Sequence, residues 1–124
     1  MYYQNDWLMR QIEIVIQAAA RLLFNKDGFE YDFKDDGLQT GSSMLLRRLS
    51  DLADSGNIGK AEDILFESLD FSDESSLPVA LAFYQKLNSM DDSRLQQGGF
   101  SREEIRDGLE DILRKFNLGF QTDI

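Results

Sequence analysis

Apolar residues recur at helical spacing near the start of the chain. They step by four, three, four and three residues, at Leu8, Ile12, Val15, Ala19 and Leu22. Polar residues repeat at the same spacing on the other side, so the pattern predicts an amphipathic helix from about Asp6 to Phe24. Asn5 is the predicted N-cap. Further apolar residues widen the stripe and predict a central position for this helix.

The helical pattern stops after Phe24, and residues 25–43 are rich in Asp, Gly and Ser. Phe29, Tyr31 and Phe33 alternate with charged residues, which is the period of a half-buried strand. Because a lone strand has nothing to pair with, we expect a long loop between the first and second helices. Its aromatic side chains would dock on the helices, and a loop of this length is uncommon in a compact domain.

Helical spacing resumes after this loop. Leu45, Leu49 and Leu52 define the inward face of a second helix, with Leu46 and Ala53 flanking it. Ser42 or Ser43 is its expected N-cap, because a hydroxyl oxygen there accepts a backbone N–H of the first turn.

The third, fourth and last helices follow from the same spacing. Their predicted inward residues are Ile58, Ala61, Leu65 and Leu69; Leu77, Ala80, Leu81, Tyr84 and Leu87; and Ile105, Leu109, Ile112 and Phe116. A short helical turn is expected near 94–97. Ser101 and Glu104 form a capping box, and the last helix should stop near Asn117. We therefore predict an all-α fold of about five main helices, packed as antiparallel helical hairpins in a single domain over residues 1–124.

One helical hairpin resembles a tetratricopeptide-type repeat. Gly56, Ile58, Ala61 and Leu65 sit at the spacing of the turn and second helix of that motif, and the match covers roughly residues 44–69. In that motif a small residue at the turn and an Ala on the second helix let the two helices pack closely. The resemblance implies close hairpin packing in this part of the chain.

Four segments, residues 5–12, 60–67, 82–84 and 101–109, carry a wider resemblance. Together they resemble a family of small uncharacterised bacterial proteins that are all-helical. The resemblance implies one compact helical domain and a bacterial cytoplasmic setting. It implies no activity, because the family has no assigned function.

Composition narrows the available chemistry. The chain has no His and no Cys, and 23 Asp and Glu against 13 Lys and Arg give a formal net charge of −10. The commonest general base, the thiolate nucleophile and Cys–zinc sites are therefore missing, so we predict a protein that is not an enzyme and needs no cofactor or metal. The negative charge argues against nucleic acid as a partner. With no signal-peptide pattern and no membrane-length apolar segment, we expect a cytoplasmic protein.

An Asp-rich segment comes closest to a metal motif. Asp32, Asp36 and Gly37 match positions of a calcium loop. Lys34 and Ser43, however, occupy positions that need oxygen ligands such as carboxylates. We therefore expect a solvated acidic loop here, without bound metal.

Adjacent carboxylates on the predicted helices are the other candidates for chemistry. Glu62 beside Asp63 is one such pair. Neighbouring positions on a helix do not face each other, so the two carboxylates do not converge on one substrate atom. We expect Glu62 to lie on the solvent face and predict no acid–base site.

Aromatic residues outside the predicted core point to an interaction surface. Tyr3 and Trp7 lie at the edge of the first helix's apolar stripe, and Tyr31 and Phe33 lie in the long loop. Aromatic side chains left exposed would form an apolar patch of the kind that marks a partner or self-association surface. These four residues are therefore candidates for contact with a protein partner or with a second copy of the chain.

Arg47 and Arg48 are the only two adjacent arginines. One interpretation is surface ion pairing, for instance of Arg47 with Asp51 four residues on. The other is contact with an anion or an acidic peptide in a groove. The first interpretation is the simpler one.

These observations predict a non-enzymatic helical interaction or scaffold protein. An apolar groove lined from the second to the fourth helix would receive a partner helix or peptide. The overall acidity predicts a partner that is neutral or basic at the contact. The alternative is a small-ligand-binding or regulatory protein, with a pocket between helices closed by residues 25–43.

Overall fold

The computed structural model describes residues 2–24 and 41–118, and both ranges are mostly α-helix. The helices are α1 (Tyr2–Phe24), α2 (Gly41–Asp54), α3 (Ile58–Ser68), α4 (Leu77–Ser89), α5 (Asp92–Gln97) and α6 (Arg102–Lys115), with a 3₁₀ turn at Glu74–Ser76 before α4. No strand occurs in these two ranges, and the predicted all-α class is confirmed. Most of the predicted long loop, residues 25–40, lies outside the described residues, as do residues 119–124.

α4 is the central helix of the structure. It packs against α1, α2 and α6. Nine of its 13 residues are buried, on all sides of the helix: Leu77, Val79, Ala80, Leu81, Ala82, Phe83, Tyr84, Leu87 and Asn88. A helix that is apolar all round is typical of the interior. The prediction that the first helix is central was therefore wrong.

α1 covers the core with one face and exposes the other. Its buried stripe comprises Leu8, Ile12, Val15, Ile16, Ala19 and Ala20, and the helix packs on α4 and α6. It begins at Tyr2, four residues before the predicted start at Asp6. Asn5 therefore lies inside the helix, and its prediction as the N-cap was wrong.

α2 is rotated relative to the prediction. Its buried apolar residues are Leu46, Leu49 and Ala53, whereas Leu45 and Leu52 are only partly buried. The helix also begins at Gly41, so the serines expected to cap it lie within its first turn. The rotation leaves part of the predicted inward face of α2 at the surface.

A tight turn joins α2 to α3. Gly56 has φ 88°, a left-handed conformation that suits glycine because it has no Cβ. The Gly56 N–H donates to the Ala53 carbonyl at 3.1 Å, and the Asn57 N–H donates to the Leu52 carbonyl at 2.8 Å. These bonds satisfy carbonyls at the end of α2. The predicted inward residues of α3 are buried, as expected.

Local capping signals fix the ends of α5 and α6. Asp91 caps α5, since its carboxylate accepts the Arg94 N–H at 2.8 Å. Ser101 caps α6 as predicted: its hydroxyl oxygen accepts the Glu104 N–H at 3.1 Å, and the hydroxyl donates to the Glu104 carboxylate at 3.2 Å. Asn117 follows α6 with φ 64°, which is the predicted left-handed end.

A buried arginine joins the ends of several helices. Arg102, 4% exposed, donates from Nη1 to the Asn88 carbonyl at 2.8 Å and side-chain oxygen at 3.1 Å. Its Nη2 donates to the Met90 carbonyl at 2.9 Å and to Asp92 Oδ1 at 2.7 Å. The Asn88 side chain in turn donates to the Met9 carbonyl at 2.9 Å. This network ties α6 to α4, α5 and α1 and places a cation at the negative end of α4.

Candidate functional site

A groove runs along the outer face of α2. It has a volume of about 490 Å³, and its described lining residues are Met44, Arg47, Arg48, Asp51, Leu52 and Ser55. These positions recur every three or four residues and so share one face of the helix. Met44 is 57% exposed and both arginines are exposed, while Leu52 is half-buried. The groove therefore combines apolar surface with two guanidinium groups.

The structure places two of the predicted partner residues in this groove. Arg47 and Arg48 both line it, as the interpretation of a peptide contact requires. The described lining comes from α2 and from Ser55 just after it, whereas the sequence predicted a groove extending from the second to the fourth helix. The rotation of α2 explains why Leu52, a predicted core residue, also lines it.

A second cleft lies between α3 and α6 and is acidic. It has a volume of about 430 Å³, and its lining residues are Glu62, Asp63, Phe66, Glu104, Asp107, Gly108 and Asp111. Five of these seven residues carry carboxylates, which repel one another when all are ionised. The cleft is therefore a strongly negative part of the described surface.

A polar contact lies at the inner side of this acidic cleft. The buried Tyr84 hydroxyl donates to Glu62 Oε2 at 2.6 Å. A Cβ at Gly108 would lie 2.5 Å from the Tyr84 hydroxyl and still closer to the Glu62 carboxylate. α6 can pass over this pair only because position 108 lacks a side chain.

Burial and nearby carboxylates control the charge of this pair. Burial raises the pKa of Glu62 and outweighs the opposing effect of the Tyr84 hydrogen bond; the charges of Asp63, Glu104 and Asp111 raise it further. Burial is also the largest cause of the raised pKa of Tyr84, followed by the adjacent Glu62 charge. The phenol is thus held protonated as a hydrogen-bond donor, which suits a structural link between α3 and α4.

This contact corrects the sequence analysis. Glu62 was expected on the solvent face, but it is half-buried and bonded to a core tyrosine. The available signal was Gly108, a glycine within an otherwise regular amphipathic helix. Such a glycine usually has a packing reason. Its partners are distant in sequence, so the pattern alone does not identify them.

The aromatic candidates have separate outcomes. Trp7 is 41% exposed on α1, as expected of a residue at the edge of the stripe. Tyr3 lies four residues earlier in the same helix, but its side chain is not among those described. Tyr31 and Phe33 lie outside the described residues, as does the calcium-like segment around Asp36.

Neither a metal-binding group of side chains nor a membrane-spanning helix occurs in the described part of the chain. Within residues 2–24 and 41–118, no group of three or more acidic side chains is placed to hold a metal ion. No helix in these ranges combines the length and apolar character needed to cross a bilayer.

The fold and clefts define a small all-helical protein with one groove lined by arginines and one acidic cleft. The chain belongs to the Family of unknown function (DUF6483), whose model matches residues 2–117. The predicted membership of a helical family without an assigned function is confirmed. No curated protein and no solved structure matches the chain.

Proposed function

We propose that this chain is a non-enzymatic interaction protein that binds a peptide segment of a protein partner along the α2 groove. The observation that carries the proposal is the placement of Arg47 and Arg48 beside Met44 and Leu52 in one groove. Apolar side chains provide contact area for a peptide, and guanidinium groups bind carboxylates through paired hydrogen bonds. The groove thus offers both kinds of contact that peptide recognition needs.

The local charge of the groove determines which partner fits. Two arginines and one aspartate give its lining a formal charge of +2 − 1 = +1, although the whole chain carries −10. Charges act mainly within about 8 Å at physiological ionic strength, so the groove lining outweighs the distant acids. We therefore propose a segment that presents an acidic residue beside a large apolar one, rather than the neutral or basic contact that overall acidity suggests.

A small-ligand or regulatory role is the second proposal. We rank it below peptide binding because the described residues of the α2 groove and of the acidic cleft do not enclose a cavity. Small-molecule sites bury most of the ligand's surface.

Selection from a displayed library of random 12-residue peptides against the full chain tests the proposal. Enriched peptides should combine Asp or Glu with Leu, Phe or Trp. Fluorescence anisotropy on labelled copies should give a Kd that rises at least tenfold in the Arg47→Glu/Arg48→Glu variant. Met44→Lys should also weaken binding, because it places a charge on the apolar part of the groove.

The matched control is Arg114→Glu, which reverses a charge at a 64% exposed arginine outside the groove. Its Kd should equal that of the wild type. Enriched peptides without acidic residues, or peptides that bind Arg47→Glu/Arg48→Glu as tightly as the wild type, would show that the proposal is wrong.

A further inference from the structure

α1 carries an outward-facing stripe that no described helix covers. We define the α1 stripe as Trp7, Gln11, Ile14 and Ala18. Trp7 is 41% and Ile14 is 58% exposed, and Gln11 and Ala18 are partly exposed. These residues lie along one side of the helix, next to its buried stripe. With Ala18, Trp7 and Ile14 give this side of the helix apolar surface that binding of a partner would bury.

The spacing of the α1 stripe is the same when read from either end of the helix. Its members are separated by four, three and four residues. Two antiparallel copies of the helix can be aligned so that the midpoint between residues 12 and 13 is the same for both. Every residue of the α1 stripe then lies opposite another residue of the stripe on the second helix. Trp7 lies opposite Ala18 of the second helix, and Gln11 lies opposite Ile14. The largest side chain thus faces the smallest, as knobs-into-holes packing favours.

We propose that the α1 stripe binds the α1 stripe of a second copy of this chain, in antiparallel orientation. The charges of α1 support this register. Asp6 of one helix falls within two residues, about 3 Å along the axis, of Arg21 of the other. Arg10 falls equally close to Glu13 of the other helix. Asp6, Arg10 and Arg21 thereby meet an opposite charge. Glu13 also lies one residue from the Glu13 of the second copy, but its carboxylate accepts hydrogen bonds from Gln17 and from Gln85 of α4 in its own chain.

Other arrangements bring more like charges together. A parallel pair in register places Asp6 beside the Asp6 of the second copy, and likewise for every other charge. An antiparallel register shifted to place Trp7 on Ile14 brings Asp6 within two residues of Glu13. Like charges at such distances are destabilising.

The net charge of the chain also favours this face. α1 contains two acidic and two basic residues and has no net charge, while the chain as a whole carries −10. Two copies therefore repel each other over much of their surfaces but not across α1. The α1 stripe spans about 16 Å from Trp7 to Ala18. An interface of this size buries little area and predicts a weak dimer.

Sedimentation velocity on the full chain from 2 to 500 μM tests the dimer. The wild type should shift toward twice the monomer mass as concentration rises. Ile14→Lys should weaken self-association at least tenfold, because it places two charges at the centre of the interface. The control variant is Met44→Lys. Ile14 and Met44 are both exposed, so both variants should fold, and far-UV circular dichroism can verify this.

Met44→Lys is the matched control, since Met44 is an equally exposed apolar residue on α2. It should leave the dimer unchanged while weakening binding in the α2 groove, and Ile14→Lys should do the reverse. The two proposals therefore fail separately. A chain that stays monomeric to 500 μM, or an Ile14→Lys variant that dimerises like the wild type, would overturn the proposed dimer.

Charge exchange tests the antiparallel register. Asp6→Arg and Arg21→Asp should each weaken the dimer, because each places like charges together, and the double variant should restore it. Asp6 and Arg21 lie 15 residues apart in one helix, about 22 Å, so pairing within one chain cannot produce the rescue. A double variant no better than the single ones would contradict this register.

Discussion

The Tyr84 hydroxyl, buried in α4, donates a 2.6 Å hydrogen bond to the Glu62 carboxylate of α3. A buried hydroxyl needs an acceptor, because leaving it unpaired costs about 1–3 kcal/mol. The bond joins residues 22 positions apart and lies directly beneath Gly108 of α6. The packing of α3, α4 and α6 therefore depends on this hydrogen bond and on the absence of a side chain at position 108.

Gly108→Ala should destabilise the protein. The added Cβ would displace the Tyr84 hydroxyl or the Glu62 carboxylate, and loss of their bond costs about 1–3 kcal/mol. The higher helix propensity of alanine returns about 1 kcal/mol. We expect a net loss of up to about 2 kcal/mol in the free energy of unfolding, measured by urea denaturation.

Gly59→Ala is the matched control for this prediction. Gly59 lies in α3, and a Cβ there meets no heavy atom within 4 Å. This substitution should stabilise the protein by about 0.5–1 kcal/mol. If Gly108→Ala stabilised the protein as much, the close approach of α6 to Tyr84 would be refuted.

Glu62→Gln should change stability in a pH-dependent way. The pKa of Glu62 is raised from 4.5, mainly by burial. The folded state thus favours the protonated carboxyl. Its contribution to the free energy of unfolding is fully present below the ordinary pKa of Glu62 and is lost as the pH rises through the raised pKa of the folded state. Glutamine is neutral at every pH and can still accept the Tyr84 hydroxyl. The variant should therefore melt a few degrees higher than the wild type at pH 7.5, with the difference disappearing below about pH 4.

Glu103→Gln is the control for the pH effect. Glu103 is exposed in the first turn of α6, where a negative charge is favourable. Its replacement should slightly lower the melting temperature at pH 7.5. A Glu62→Gln variant that also melts lower at pH 7.5 would show that the ionised carboxylate is tolerated without cost.

Arg102→Met should be strongly destabilising. It leaves the carbonyls of Asn88 and Met90 without their arginine donors in a buried position. Removing one member of such a buried network costs about 3 kcal/mol or more. Arg114→Met removes an arginine that is 64% exposed and should change stability by less than about 0.5 kcal/mol. Equal unfolding midpoints for the two variants would contradict the structural role of Arg102.

Local signals explain which parts of the fold could be predicted. The Ser101 cap and the left-handed Asn117 depend on residues within one turn of each position, so the sequence reveals them. The N-cap prediction at Asn5 was wrong because a residue type that favours caps can also lie inside a helix when the residues before it are helical. In α1 they do continue it, back to Tyr2.

Longer-range packing explains the errors. In α2, Leu45 and Leu46 are both apolar, so spacing alone allows two inward faces. Packing against α3 and α4 selects the face with Leu46. The pairing of Glu62 with Tyr84 cannot be identified from spacing either, because the two residues meet only after α3 and α4 have docked; Gly108 signals a close approach but does not name them. The groove arginines were predicted because their adjacency is visible in sequence, but their position beside Leu52 follows from the rotation of α2.

The position of α4 has a consequence for synthesis of the chain. α4 is shielded by α1 and α2, which precede it, and by α6, which follows it. On the ribosome its apolar residues emerge before α6 exists to cover them, so the nascent chain presents an uncovered apolar helix until residue 115 has left the exit tunnel. Folding should then complete only after α6 is made, and a nascent chain stalled after α4 should be far more sensitive to protease than one extended past α6.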